Sequence, residues 1–424
     1  MALTIVLNKM KNSNYTVSRS LSIVIVGTGA ILSSLSSPLP ASAAQGRILV
    51  GTDQGIFAHM KAFASPAQTE VASLFPYPAR FEGGVRVAVG DLNGDGAPDF
   101  VTGSGPGAAH VRAFSGRDQS ELHSFLPYGA NFLGGVYVAS GDVNGDGIDD
   151  IVTGADSGAS PHVKVFDGKT GADLASFFAY PPTFSGGVRV ATGDVDGDGL
   201  ADIITGSGAG AGHVKVFSGK SHEEIRSYLA YGGAFSGGIF VASGDINGDR
   251  LADIVTGADA GAGPHVKVFD SRSQGESIRS FFPYPAGFAG GVRVATGDLD
   301  GDGRHELIVS PGKGGAPLVR VFDSSTLNET ASFLAYVVTQ TDGVFIAAGS
   351  LRRPTLENRL DPRTREIILR WPSGCGCALE TSRDLMDARG WKPLETRAVE
   401  LDNRLEARLS SSLEAQFFRL VCPE

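Results

Sequence analysis

A nine-residue segment rich in Asp, Asn and Gly recurs five times along the chain and carries the residues with the clearest chemistry. It places oxygen-bearing side chains at positions 1, 3, 5 and 9, while Gly at positions 4 and 6 lets the backbone fold around a centre. Ca²⁺ takes roughly six to eight oxygen ligands, so we expect each segment to bind calcium, with the backbone carbonyl of position 7 as a further ligand. Mg²⁺ is less favoured because it demands a stricter octahedron.

Positions 1, 3, 5, 7 and 9 of the five segments form the predicted ligand set. They are Asp91, Asn93, Asp95, Ala97 and Asp99; Asp142, Asn144, Asp146, Ile148 and Asp150; Asp194, Asp196, Asp198, Leu200 and Asp202; Asp245, Asn247, Asp249, Leu251 and Asp253; and Asp298, Asp300, Asp302, Arg304 and Glu306. Arg250 replaces the usual Gly at position 6 of one segment, so we expect the weakest binding there. The sixth equivalent turn, residues 349–353, has lost every ligand and is expected to stay empty. The alternative is a set of hairpin turns that bind no metal.

A longer repeat must position these segments. Variants of the phrase Gly-Gly-Val-Arg-Val-Ala recur every 51 to 53 residues. Each unit contains four runs of alternating hydrophobic and polar residues separated by turns, and the Asp-rich segment joins the first two runs. Four short strands per unit predict the blades of a β-propeller. A solenoid is the competing architecture, but its strands are shorter and fewer per repeat.

The phase of the repeat predicts how the ring closes. Residues 47–51 align with residues 150–154 and therefore form a second strand with no first strand before it. Residues 344–349 form a first strand with no second strand after it. We therefore expect an all-β, six-bladed propeller over residues 47–349, closed by pairing of its C-terminal first strand with the N-terminal blade. This closure removes exposed sheet edges.

Two further series alternate from blade to blade. The second residue of the first strand is Arg86, Tyr137, Arg189, Phe240, Arg293 and Phe345 in turn. Three acidic residues, Asp53, Asp156 and Asp259, follow every other second strand. The three Arg and three Asp residues form either salt bridges between blades that close the central channel, or a threefold binding site for an acidic sugar or carboxylate.

Aromatic and imidazole side chains also recur at fixed positions. A His begins the third strand at His59, His110, His162, His213 and His265, and we expect it to make a structural hydrogen bond, with metal binding by a ring of His as the alternative. The Tyr series comprises Tyr77, Tyr128, Tyr180, Tyr231, Tyr284 and Tyr336, and the Phe series Phe81, Phe132, Phe184, Phe235 and Phe288. Both are expected to pack between blades, although aromatic rings also stack on sugars.

The two ends of the chain differ from the repeat. Residues 1–43 have a basic lead, an apolar stretch over 21–35 and Ala-Ser-Ala at 41–43, which together predict an export signal cleaved after Ala43. Residues 350–362 are interpreted as a linker, and residues 363–424 as a small β module. Export permits one disulfide there, for which Cys375 and Cys422 are the candidates, and three reduced thiols are the alternative.

Composition limits the partners. The formal net charge is −10, so nucleic acid and anionic membranes are unfavourable partners. After signal cleavage no segment is expected to span a membrane, and we expect a monomer. No nucleophile elbow, pair of catalytic carboxylates outside the loops or zinc-ligand cluster stands out in the sequence.

The phrase around Phe184 and Gly186, the Asp194 loop and the Gly-Ser-Gly turn at 206–208 resemble the FG-GAP (VCBS) repeats of integrin-type propellers. This resemblance covers residues 47–349 and implies a propeller that holds cations in hairpins on one face, away from the face where partners dock. The Gly-Ala-Pro of that family is missing here, which weakens inference about the docking face. The tail resembles a small fibronectin-type module.

The function expected from these features is that of an exported, secreted or cell-surface (or periplasmic) protein with about five Ca²⁺ ions. We expect it to act in recognition or cell adhesion, without catalysis, on an extracellular protein or polysaccharide. The alternative is a calcium-dependent carbohydrate-active enzyme, a lyase or hydrolase, with its site at the central channel.

Overall fold

The computed structural model describes residues 22–27, 30–36, 46–65, 68–233, 235–261, 263–273 and 275–349, and then residues 357–361, 363–364, 366–372, 378–382, 392–394, 398–401, 404–410 and 416–421. All regular elements among these residues are β-strands. None of them belongs to a helix long and apolar enough to cross a membrane. The chain divides into two compact units, one of residues 44–352 and one that combines residues 1–43 with 353–424.

Six four-stranded antiparallel sheets form the unit of residues 44–352, and we number them as blades 1 to 6. Blade 1 contains Val344–Gly349, Arg47–Thr52, Met60–Ala64 and Thr69–Leu74; blade 2, Val85–Gly90, Asp99–Ser104, Val111–Phe114 and Glu121–Phe125; and blade 3, Val136–Gly141, Asp150–Ala155, His162–Phe166 and Asp173–Phe178. Blade 4 contains Val188–Gly193, Asp202–Ser207, His213–Phe217 and Glu224–Leu229; blade 5, Ile239–Gly244, Asp253–Ala258, Val266–Phe269 and Ser277–Phe281; and blade 6, Val292–Gly297, Glu306–Pro311, Leu318–Phe322 and Glu329–Leu334. The six-bladed propeller predicted from the repeat is confirmed.

Closure of the ring also follows the prediction. The strand Val344–Gly349 pairs antiparallel with Arg47–Thr52, from Val344 opposite Thr52 to Gly349 opposite Arg47. Blade 1 therefore combines the last strand of the repeat region with its first three. No sheet edge is left unpaired at the join, which would otherwise attract a further strand.

Burial changes from the axis to the rim of each blade. The first strands contact one another around the axis. Second strands such as Asp202–Ser207 are buried along their whole length, whereas the fourth strands alternate, as in Glu224–Leu229. Close approach of neighbouring blades requires Gly in the second strand, because a Cβ atom on Gly154 would lie 2.4 Å from the carbonyl oxygen of Val188 in the next blade.

The second unit contains two sheets. One consists of Glu357–Leu360, Glu366–Pro372, Arg404–Ser410 and Val399–Leu401, and the other of Ala378–Ser382, Lys392–Pro393, Gln416–Val421, Ser22–Gly27 and Ala30–Ser36. Side chains from both sheets, including Trp371 and Phe418, share one core. The strand Glu357–Leu360 lies inside the range predicted as a linker, and the strands of residues 22–36 lie inside the predicted export signal. Cleavage of that signal remains a prediction.

Candidate metal-binding face

The five Asp-rich segments are the hairpin loops that join the first and second strands of blades 2 to 6. Gly193 ends a first strand and pairs with Asp202, the position 9 residue that begins the second strand. Position 9 is buried in every loop: Asp99, Asp150, Asp202 and Asp253 are at most 1% exposed and Glu306 is 6% exposed. All five loops therefore lie at one end of the central channel, each between the first and second strands of its blade as the sequence predicted.

Backbone hydrogen bonds wrap each loop around its position 1 carboxylate. The N–H groups of Gly197 and Gly199 donate to Oδ1 and Oδ2 of Asp194, at 2.6 and 3.0 Å. Asp198 N–H donates to Asp196 Oδ1 at 3.0 Å, so the side chain of position 3 turns back toward the loop. This fold requires a left-handed residue at position 6, where Gly199 has φ of +88° and Arg250 has φ of +73°. Only Arg250 is strained there, because it carries a Cβ atom.

Four of the five position 9 carboxylates hold two loops together. In Asp202, Oδ2 accepts from the N–H of Val195 at 2.9 Å and Oδ1 from the N–H of Gly219 at 3.0 Å, in the loop between the third and fourth strands. Burial raises the pKa of Asp202 to about 6 against the opposing effect of these bonds. Burial likewise raises the pKa of Asp99 and Asp150 to about 7 and of Glu306 to about 8. The ionised form of position 9 is thus costly in a metal-free protein.

Carboxylates converge most tightly in two loops. Oxygens of Asp194, Asp196 and Asp202 lie within 4.8 Å of one another, and those of Asp298, Asp300 and Asp302 do the same. These are the two loops with Asp instead of Asn at position 3. Oxygen-only donors at this spacing fit a hard divalent cation, which would also relieve the repulsion between the carboxylates.

The loops are hydrogen-bonded in sequence around the channel. The N–H of the position 8 residue in one blade donates to the position 1 carbonyl oxygen of the preceding blade. The four bonds run from Asp149 to Asp91, Ala201 to Asp142, Ala252 to Asp194 and His305 to Asp245, at 2.7 to 2.9 Å. The importance of position 8 was not predicted from the sequence, although the additional acid at Asp149 could have indicated it. The Asp149 side chain is 5% exposed and accepts a hydrogen bond from the Asp91 N–H at 2.9 Å. These four bonds therefore connect each loop to the loop of the neighbouring blade.

A different set of residues lies at the other end of the channel. Arg86, Arg189 and Arg293 are 5 to 7% exposed and form ion pairs with Asp156, Asp259 and Asp53. Each pair links an even blade to the odd blade that follows it, and the pair of Arg293 and Asp53 spans the join of the ring. The structure thus brings together all six residues of the predicted ligand site as three inter-blade pairs. Their binding of a ligand remains a prediction.

Aromatic rings fill the space between these Arg side chains. The guanidinium carbon of Arg189 lies 3.8 Å from the ring centre of Phe240, and that of Arg293 lies 4.0 Å from Phe345. Arg86 lies 4.7 Å from Tyr137, and the ring centres of Tyr137 and Phe345 are 6.3 Å apart. Stacking of cations on aromatic faces stabilises the desolvated Arg side chains. The alternation seen in the sequence therefore produces a ring of stacked Arg and aromatic residues.

The His and Tyr series have structural contacts. Each His Nε2 lies 2.7 to 2.9 Å from a Ser Oγ of the fourth strand in its own blade; the Ser partners are Ser73, Ser124, Ser176, Ser227 and Ser280. Each Tyr hydroxyl donates to a backbone carbonyl of the next blade, as Tyr180 does to His213 at 2.7 Å. The structural roles predicted for both series are confirmed. Cys375, Cys377, Cys422 and the sixth turn beyond Gly349 lie outside the described residues.

Comparisons with known proteins agree with this architecture. Residues 91–153, 142–205 and 245–309 match the FG-GAP-like repeat. Chicken (Gallus gallus) integrin alpha-V is 30% identical over 159 residues, which are 32% of this chain and 15% of that protein. The match therefore spans far less than the length of that relative. The six-bladed propeller of this chain thus contains three FG-GAP-like repeats, and part of it is similar in sequence to integrin alpha-V.

Two solved structures share a looser likeness. "Structure of Dos1 propeller" has a TM-score of 0.38 and 10% identity, covering 73% of this chain and 70% of that one. "Crystal Structure of Mitotic Checkpoint Complex" has a TM-score of 0.37 and 13% identity, covering 80% of this chain and 89% of that one.

Proposed function

We propose that this protein is an exported recognition and adhesion module whose propeller is held together by calcium bound in five hairpin loops. The observation that carries the proposal is the convergence of three carboxylates in the Asp194 loop and in the Asp298 loop, together with the same hairpin fold in the other three loops. In the Asp194 loop, Asp194, Asp196, Asp198 and Asp202 would bind the cation together with the carbonyl oxygen of Leu200. Calcium would supply the positive charge that the side chains of the Asp194 loop lack.

Calcium in these loops would stabilise the folded propeller and would not take part in a reaction. It would neutralise position 9, which otherwise carries its charge at a cost, and would fix the loop that bonds to the next blade. A cation that binds only the folded state stabilises it by about 2.7 kcal/mol per site at a concentration 100 times its Kd. Extracellular calcium modules bind with Kd of about 10⁻⁴ to 10⁻³ M, so modest affinity suffices outside the cell.

The leader sequence supports export and the integrin-like repeat supports a role in recognition. Residues 21–35 and the Ala-Ser-Ala motif at 41–43 fit a signal removed on secretion. The partner would be an extracellular protein or polysaccharide that binds away from the cation loops. The protein itself would act as a monomer. We favour this over catalysis at the channel because Arg189 and Asp156 are each buried in an ion pair there.

The test is thermal unfolding of the full chain after removal of metal. We expect the midpoint to rise by roughly 10 °C when millimolar calcium is added back, and by much less with magnesium. The Asp118→Asn variant serves as a control and should show the same rise in midpoint as the wild type. Asp118 is an exposed acid that lies in a turn outside the loops and is hydrogen-bonded to Ser120. An unfolding midpoint that ignores both calcium and chelator would show that the loops are ordinary turns.

A further inference from the structure

The outer rim of the propeller exposes a large apolar side chain at the same position of every blade. It lies two residues before the buried Tyr, where the fourth strand ends. The six residues are Phe75, Leu126, Phe178, Leu229, Phe282 and Leu334, with exposures of 60, 44, 48, 44, 49 and 49%. Phe occupies the odd blades and Leu the even ones, so the rim repeats the threefold alternation of the channel. The sequence reasoning missed this series because it followed the neighbouring Tyr and Phe residues of the core.

In the odd blades the exposed Phe lies against the His that begins the third strand. The ring centres of His59 and Phe75 are 4.2 Å apart with planes 10° from parallel, and those of His265 and Phe282 are 4.4 Å apart at 16°. His162 and Phe178 are 4.9 Å apart and tilted by 43°. The His cannot swing away freely, because its Nε2 is hydrogen-bonded to Ser. Each odd blade thus presents a Phe ring backed on one side by imidazole and about half exposed.

Polar groups border each of these rings. A Lys follows two residues after the His, as Lys61, Lys164 or Lys267. The cleft beside Phe178 has a volume of about 530 Å³ and is lined by His162 and Lys164 together with Ser160 and, from blade 2, Tyr128. Tyr231 and Tyr336 take the place of Tyr128 beside the other two His residues, with ring centres 5.4 Å away in both cases. The same combination of Phe, His, Tyr and Lys residues therefore recurs in three blades, and beside Phe178 it lines a cleft.

We propose that the cleft beside Phe178 and the equivalent positions beside Phe75 and Phe282 bind the pyranose rings of a glycan. The C–H face of a pyranose carries partial positive charge and complements the negative face of an aromatic ring, while its hydroxyl or carboxylate groups meet the Lys ammonium. Three sites separated by Leu-bearing blades suit a ligand that repeats along a chain, since linked sites add avidity. The inference rests on the proposed recognition function and names its ligand class, but it does not involve the calcium loops.

The test measures binding of neutral and uronic acid hexasaccharides to the calcium-loaded full chain by calorimetry. We expect three sites per chain for at least one of the two sugars. A triple variant, Phe75→Leu with Phe178→Leu and Phe282→Leu, should lose binding at least tenfold. Leu occupies the same position in the even blades, so the fold should tolerate it. The matched control truncates Leu126, Leu229 and Leu334 to Ala and should bind as the wild type does.

Gain of a site gives a second readout that does not depend on damaging the protein. Leu229→Phe places a ring beside His213 and should raise the stoichiometry from three to four. Leu334→Phe should add no site, because blade 6 has Leu318 in place of His. An unchanged affinity in the triple variant overturns the proposal, and so does failure of both sugars to bind the wild type, even if a protein ligand is found. Retained stabilisation by calcium in the triple variant would leave the calcium proposal intact.

Discussion

Carboxylates are removed from water at both ends of the propeller channel, but the two ends compensate their charge in different ways. At one end, the buried Asp202 carboxylate is held only by backbone N–H groups and its pKa is raised by burial. At the other end, the carboxylate of Asp259 is paired with Arg189 from the preceding blade. At the Arg end the chain thus supplies the counter-charge itself, whereas at the loop end the proposed calcium would supply it. If the proposal holds, calcium should stabilise the loop end and leave the Arg end unchanged.

The largest expected effect is the pH dependence of the free energy of unfolding in the metal-free protein, because five carboxyl groups contribute to it. Their pKa values are raised to about 6 to 8 in the folded state, whereas unfolded Asp and Glu titrate near 4. A raised folded pKa means that the folded state holds its protons more tightly. The free energy of unfolding therefore falls as pH rises from about 4 to 8.

Calcium should cancel this loss, so the rise in unfolding midpoint on adding calcium should grow between pH 5 and pH 8. Scanning calorimetry of metal-stripped and calcium-loaded protein measures the difference directly. The His residues, whose pKa values burial lowers, contribute to both forms and drop out of the comparison. A calcium effect that is equal at both pH values would contradict this account of position 9.

At the opposite end, Arg189→Ala should destabilise the protein by about 3 kcal/mol, because it leaves the part-buried carboxylate of Asp259 without its charged partner. The loss should be the same with and without calcium. Denaturant unfolding measures both values. Replacing the pair together, as Arg189→Met with Asp259→Leu, should recover most of the stability; a loss that depended on calcium would show that the two ends are coupled.

Asp198→Asn tests the loop end with the smallest structural change. Asn keeps an oxygen to accept the N–H of Leu200, which lies 3.0 Å from Asp198 Oδ1. We expect little change in the metal-free protein and a loss of about 1 to 3 kcal/mol in calcium. Equal stability of the variant and wild type in saturating calcium would remove Asp198 from the ligand set.

The smallest effect is expected for Arg250→Gly. Arg250 adopts a left-handed φ of +73°, a conformation that costs a residue with a Cβ atom about 1 to 2 kcal/mol. Gly relieves that cost and should raise stability by about 1 kcal/mol with a gain in calcium affinity at the Asp245 loop. Thermal unfolding and calcium titration report the two changes; a destabilised variant would mean that the Arg250 side chain has a favourable role.

Much of this architecture could be predicted from the sequence because the same pattern of strands and turns recurs in six units, so that each unit supports the prediction made for the others. The spacing of the Asp segments gave their place between the first and second strands, and the phase of residues 47–51 gave the closure. What could not be predicted depends on neighbouring blades: that Arg86 pairs with Asp156 and not with Asp53, and that Asp149 bonds to Asp91. These contacts join residues more than fifty positions apart, and no local pattern encodes them. The exposed Phe75 was equally hidden, since only burial distinguishes it from the core Tyr77.

Calcium bound per chain is the most direct measure of the central claim. The metal-stripped full chain, dialysed against about 10 mM calcium and analysed for metal, should hold five ions, with the Asp245 loop the last to fill as the concentration rises. The Arg189→Met and Asp259→Leu double variant should hold the same five. A protein that remained folded and bound no calcium under these conditions would contradict the account.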